Sequence, residues 1–378
     1  MTLVLNEEQR QLADTAREFL RAQAPVTAFR RLRDSGDPRG YSADLWARMS
    51  ELGWAGITIP EEYGGMDFGF AGIAALLQEC GRSLAATPLF ATCVLGASAI
   101  QLAGAQAQKE EMLPLVATGI LRLALALEES HHHAPDAVKL LARRVDGGYR
   151  LEGRKEFVLD GHAAERIVTL ARIEGSSGRD GLCLFVVDSA APGLERCRLS
   201  LVDSRNAARI DYAGVHVGQS ALLGEEGSAG GVLDAILDRG RAAIAAEMLG
   251  GAEECLDRTV AYLKQREQFG ALIGSFQGLQ HRAAQLFAEL ELLRSVVRAA
   301  CDAVDATPEM LPMLASLAKA SANDCAERIT NEAVQMHGGI GTTDELDIGL
   351  FLKRARVCMQ VLGDAAFHRD RYARLRGF

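Results

Sequence analysis

Apolar residues in the first third of the chain recur at helical spacing. Behind Asn6, which predicts an N-cap, Leu12, Ala13, Ala16, Phe19 and Leu20 share one helix face. Further helices are predicted over 42–52, 69–82 and 90–103, while Pro60 and Gly64–Gly65 in ITIPEEYGGMDFG mark a non-helical break. From about 119 to 222 the period changes. LRLALALEE, YRLEGRKEFVL, RIVTLARIE and LCLFVVDS are short runs, alternating or wholly apolar, separated by DGG, DGH, GSSGRDG and APG. Those separators carry the turn chemistry of antiparallel strands, and the stretch predicts a small β-sandwich or barrel. From about 225 helical periodicity returns over 231–265, 276–304, 308–335 and 345–374, the pattern of a four-helix bundle. The reading is mainly α with a central β domain: a helical domain over 1–118, a β domain over 119–224 and a helical bundle over 225–378.

Composition narrows the partners. The 378 residues are 48% hydrophobic and 24% charged, as in a globular protein, and aromatics at 6% lean the prior toward helix. A net charge of -9 without any long lysine/arginine run argues against nucleic acid, whose affinity rests on phosphate contacts. The N-terminal MTLVLNEEQRQLADTAREFL reads as an acidic amphipathic helix rather than a signal, and no run of 18 apolar residues predicts a membrane span. Eight cysteines without CxxC spacing favour reduced thiols and a cytoplasmic setting over a disulfide framework or zinc.

Chemistry concentrates between two of the long helices. In REQFGALIGSFQGLQH (266–281), Arg266 stands with Gln268, Gln277, Gln280, Phe269, Gly270 and Gly274. A guanidinium suits phosphate oxygens, and glycines admit close backbone approach. The same logic marks Gln335 and Gly338–Gly339 in QMHGGIG (335–341). Taken alone, the plainer reading makes Arg266 a surface arginine and Gly338–Gly339 a helix stop, and it ranks below the binding one. His131–His132–His133 does not predict a metal, because consecutive side chains converge poorly on one ion; an exposed, unconstrained loop is the expectation.

IPEEYGG (59–65), LLQECGRSLAATP (76–88), REQFG…FQGLQH (266–281) and QMHGGIG (335–341), in this order on this plan, resemble the acyl-CoA dehydrogenase family along essentially the whole chain. The resemblance implies FAD, bound between subunits. One subunit would hold most of the flavin ring and its neighbour the adenosine diphosphate end. On that implication Arg266 meets the pyrophosphate, Phe269 packs near the adenosine, and Gln268 belongs to the same arm. Gln277 and Gln335 bond the nucleotide's polar edge, and Gly338 and Gly339 let backbone approach it.

Other family features are missing. The loop whose hydroxyls bond the flavin falls at LEESHHHA (127–134), with Leu127 and His133 in place of threonine and serine; Phe157 and Leu159 replace a tryptophan and a hydroxyl residue. The usual glutamate base falls at Leu362, before Gly363, and its alternative position at Gly240, before Arg241. Asp364 and Glu247 are the remaining base candidates; Asp364 also reads as the N-cap of AAFHRDRYARL.

The asymmetry resembles the base-lacking subunit of heteromeric α2β2 acyl-CoA dehydrogenases acting on steroid side-chain thioesters. It implies a partner that is a homologous subunit, an acyl-CoA substrate and an electron-transfer flavoprotein as acceptor. Three alternatives stand beside it: a self-sufficient homotetramer using Asp364 or Glu247, a flavin monooxygenase or oxidase on the same fold, and a scaffold.

Overall fold

A computed structural model describes residues 5–378; the first four residues of the predicted amphipathic N-terminus lie outside them. Helix α1 (Glu7–Gln23) opens where Asn6 predicts it. Asn6 Oδ1 accepts from the Gln9 N–H at 2.8 Å while the Asn6 N–H donates to Gln9 Oε1 at 3.2 Å, a reciprocal capping box. α2 (Val26–Ser35), α3 (Ala43–Glu51) and α4 (Phe70–Ser83) follow. A π-helical stretch, Phe90–Gly96, runs into α5 (Ala97–Ala103), and α6 (Gln106–Ala117) ends the region.

Eight strands then form one sheet: β1 (Leu123–Ala126), β2 (Leu141–Val145), β3 (Gly148–Leu159), β4 (Arg166–Ile173), β5 (Leu182–Asp188), β6 (Leu194–Arg198), β7 (Ala207–Gly218) and β8 (Leu222–Leu223). Their order is β6-β7-β3-β2-β4-β5-β8, with β1 also on β4. The four apolar runs became β1, β3, β4 and β5. β7 escapes the pattern because Gly214, at φ +71°, is an extra residue between the Glu152–Ala213 and Leu151–Val215 pairs and breaks the two-residue period. Both β1 and β2 run parallel to β4, whereas the turn chemistry predicts antiparallel neighbours. Side chains from β1, β3, β4, β5 and β7 share one core, in which the Tyr149 and Phe185 rings lie 4.9 Å apart.

The last third is helical: α7 (Ala229–Leu263), α8 (Gln277–Ala306), α9 (Leu311–His337), α10 (Ile348–Gln360) and α11 (Ala365–Leu375). Between α7 and α8 lies a short hairpin, β9 (Glu267–Gln268) and β10 (Ala271–Leu272). The fourth predicted bundle helix, 345–374, is two helices, because Leu362 (φ +57°) and Gly363 (φ +110°) leave the helical region.

The chain divides into two compact units. One comprises residues up to Arg30, Phe70–Ala85 and Arg241–Phe378; the other comprises Arg31–Gly69 and Ala86–Gly240. In the first, α4 crosses α7 at backbone contact. A Cβ on Gly81 would sit 2.0 Å from the Glu247 carbonyl oxygen, and one on Gly250 1.8 Å from that of Gln78. Glycine is required at both positions.

Candidate functional site

The hairpin turns on Phe269 and Gly270, both at positive φ (+55° and +74°), as a two-residue hairpin loop demands. Glycine adopts this freely; phenylalanine does so at a cost of about 1 kcal/mol. Phe269 is also 95% exposed, its ring edge-on to that of Phe276 with centroids 6.2 Å apart. Arg266 is fixed through its backbone, its N–H donating to Tyr262 at 2.9 Å and its carbonyl accepting from Ile273 at 2.8 Å. Its exposed guanidinium has no partner among the described residues. The Gln268 side chain donates to the neighbouring Glu267 carbonyl. Gln277 begins α8 and Gln335 lies in the last turn of α9, both exposed. Gly338, at φ +65° and ψ -144°, occupies a region essentially reserved for glycine. A Cβ at Gly338 or Gly339 would meet nothing within 4 Å among the described residues. Donors that the chain itself leaves unused, an unburied ring and bare backbone form a set that fits the nucleotide end of a dinucleotide.

The other half of the expected site is shaped differently. Leu127 is buried, and its carbonyl accepts from the Lys155 ammonium at 3.0 Å. Lys155 is wholly buried, which pushes its pKa below the ordinary lysine range, and it also reaches Glu129 at 2.7 Å. Glu129 in turn accepts from the Lys139 and Leu140 N–H groups at 2.7 and 3.0 Å. His131 and His132 are exposed, as expected, but the loop is not unconstrained. The His133 side chain is 4% exposed and its Nδ1 bonds Glu128. Phe157 stands at φ +53° on a bulge in β3, with its ring 5.8 Å from that of His131. Leu159 is buried opposite Ala207. Hydroxyls are absent from all four positions, so they do not fit the polar edge of a flavin.

The turn where the sequence places the expected base position is tightly framed. The buried Leu362 offers its carbonyl to Arg241 Nε at 3.3 Å and to His368 Nε2 at 3.0 Å. Lys319 Nζ donates to Gly363 O at 3.0 Å, Met359 O at 3.2 Å and Asn323 Oδ1 at 2.7 Å. Three acceptors match the three donors of an ammonium, although complete burial pushes this amine down to about 7. Neither buried lysine stood out in the sequence: Lys319 is a lone charge among small and apolar residues, and Lys155 lies between Arg154 and Glu156 like a surface residue.

Asp364 is the N-cap of α11, its Oδ1 accepting from the Phe367 N–H at 2.8 Å. Asp364→Ala is therefore expected to cost about 1 kcal/mol of stability, read from urea unfolding, and Asp364→Asn almost none. Glu247 is buried in the bundle, 3.2 Å from the buried Arg354 and beside Cys358. With Gly81, Thr330 and Phe351 they line a cavity of about 20 Å³, room for one water rather than an acyl chain.

Comparison with known proteins agrees with this architecture. The family descriptions "Acyl-CoA dehydrogenase, N-terminal domain" and "Acyl-CoA dehydrogenase, C-terminal domain" match residues 6–120 and 230–375. An acyl-CoA dehydrogenase of Bacillus subtilis is 30% identical over 365 residues, 93% of each chain. Butyryl-CoA dehydrogenase from Megasphaera elsdenii superposes along the full length of both chains with a TM-score of 0.91 at 27% identity. The Tcur3481–Tcur3483 steroid ACAD superposes over 100% of this chain and 99% of its own, with a TM-score of 0.86 at 31% identity. With both terminal domains matched and such likeness along its length, the chain belongs to the acyl-CoA dehydrogenase family, FAD flavoproteins that oxidise CH–CH groups.

Proposed function

We propose that this chain is the base-lacking subunit of a heteromeric acyl-CoA dehydrogenase, holding the nucleotide end of an FAD whose ring lies with a catalytic partner subunit. The observation that carries this reading is the Leu362–Gly363 turn. Its backbone is held by Arg241, His368 and Lys319, yet it presents a buried aliphatic side chain where the family's glutamate would remove the substrate's α-proton. The second base position, Gly240, has no side chain.

FAD supplies the acceptor for the β-hydride. This chain's part is binding: Arg266 to the pyrophosphate, Phe269 against the adenosine with Gln268 on the same arm, Gln277 and Gln335 to the nucleotide's polar edge, and Gly338–Gly339 as open backbone. The partner supplies the base and the polar pocket for the ring. The likeness to a steroid ACAD at 31% identity supports a CoA thioester with a bulky steroid-type acyl group as substrate, in an α2β2 assembly. An electron-transfer flavoprotein is the acceptor we propose.

A self-sufficient homotetramer would need Asp364 or Glu247 as base. The first is committed to capping and the second to an ion pair. A monooxygenase or oxidase needs a well-held flavin ring, which Leu127, His133, Phe157 and Leu159 do not provide. The test is Asp364→Asn in the assembled enzyme. Turnover is expected within about two-fold of the parent, since asparagine caps as well; a loss of several orders of magnitude would make Asp364 the base and end this reading.

A further inference from the structure

Arg266, Gln277, Gln335 and Gly338 come from three different segments, so a common ligand requires something to fix the distances between them. The last turn of α7 is where those segments meet. The Tyr262 carbonyl accepts from both the Gln265 and the Arg266 N–H, at 3.0 and 2.9 Å, which sets the base of the arginine-bearing hairpin. The Tyr262 ring stacks on the His337 imidazole with centroids 4.3 Å apart and planes 31° from parallel. Its hydroxyl points to the His337 carbonyl at 3.5 Å, too long to contribute much. His337 is the last residue of α9, immediately before Gly338, and is buried. Its Nδ1 bonds the Ala333 carbonyl at 2.7 Å, while the ring face remains the surface that Tyr262 packs against.

The next residue serves the third segment. A Cβ on Gly274 would lie 2.7 Å from the Leu263 carbonyl oxygen, so the return from the hairpin to Gln277 rests directly on that carbonyl. On the other side, a Cβ on Gly341 would lie 2.5 Å from the Val334 carbonyl oxygen, so the loop after Gly338–Gly339 folds back tightly on α9. The ends of α7, α8 and α9 are thus tied together at Tyr262–Leu263 without using any of the exposed donors.

We infer that Tyr262, through its stack on His337, is the positioning residue that holds the Arg266 arm in register with the Gln335–Gly339 segment. This rests on the proposed nucleotide-holding role of those segments. The ring carries the effect and the hydroxyl does not, because sites tolerate only about half an ångström of displacement and the ring fixes the helix spacing.

The test titrates FAD into the assembled apoprotein by quenching of flavin fluorescence, with urea unfolding of each variant alongside. The variants are Tyr262→Phe, Tyr262→Leu, His337→Phe and His337→Leu, with Arg266→Ala as control. The expected result is a Kd raised about ten-fold by the two leucine variants and unchanged by the two phenylalanine variants, with an unchanged urea midpoint. Should Tyr262→Leu lower the midpoint, the His337→Phe and His337→Leu pair carries the comparison. Parent-like binding by the leucine variants while Arg266→Ala binds poorly would overturn the positioning role and leave the nucleotide-holding reading intact. Parent-like binding by Arg266→Ala as well would overturn both.

Discussion

Arg266→Ala lowers the FAD affinity of the assembled protein about ten- to a hundred-fold, the equivalent of losing roughly 1.5–3 kcal/mol of charge-assisted hydrogen bonding. The guanidinium is exposed and has no partner among the described residues, so its removal leaves the fold of this chain alone. The loss is expected in FAD binding with an unchanged urea midpoint. That separation matters, because most arginines of this protein are paired and would fail it; Arg82, for example, bridges Glu253 at 2.8 Å and Asp257 at 2.7 Å. Gln335→Ala acts in the same direction more weakly, because a neutral amide forms a weaker bond than a guanidinium does to phosphate. An Arg266→Ala protein that retained full flavin would remove the donated-site role altogether.

The second large effect is on stability. Arg354→Met removes the cation 3.2 Å from Glu247 in a site where the two side chains are 7% and 3% exposed. Breaking a buried pair on one side costs about 3–5 kcal/mol, whereas replacing both members by apolar or neutral groups costs far less. The urea midpoint is therefore expected to fall sharply for Arg354→Met and to recover much of the loss in the Glu247→Gln/Arg354→Met double variant. Turnover per folded molecule stays near the parent value in both. A Glu247→Gln protein that folded normally but lost turnover by orders of magnitude would instead mark Glu247 as the proton acceptor, and the ion pair as incidental.

Much of the fold was legible because local signals agree with it. Asn6 starts α1, the four strongest apolar runs became strands, and the long helices of the bundle begin and end near their periodic segments. What the sequence hid depends on distant residues. β7 carries a bulge that destroys alternation, and the parallel pairing of β1 and β2 with β4 leaves no mark in any turn. Gly81 and Gly250 look like weak points in helices until α4 and α7 meet on them.

The site divides the same way. Arg266, Gln277, Gln335 and Gly338–Gly339, the residues we propose for the nucleotide, could be singled out in advance because they lie in short, ordered motif strings. The contacts of Lys155, Lys319 and Tyr262 could not, since each meets a backbone or ring remote in sequence: Leu127, Gly363 and His337. His133 was read as one of three exposed histidines, and only the structure pairs it with Glu128. Leu362 shows both limits at once. Its identity carries the proposed loss of a base, but that its φ is +57° and its carbonyl is doubly held is invisible in one dimension.

The central claim is that this chain grips a cofactor whose chemistry belongs to a partner. The most direct measurement is the flavin-to-protein ratio from visible absorbance, for this chain purified alone and for the chain co-purified with a homologous acyl-CoA dehydrogenase subunit. The account predicts little flavin on the chain alone and one FAD for each mixed pair. One FAD per chain on the protein purified alone would contradict it.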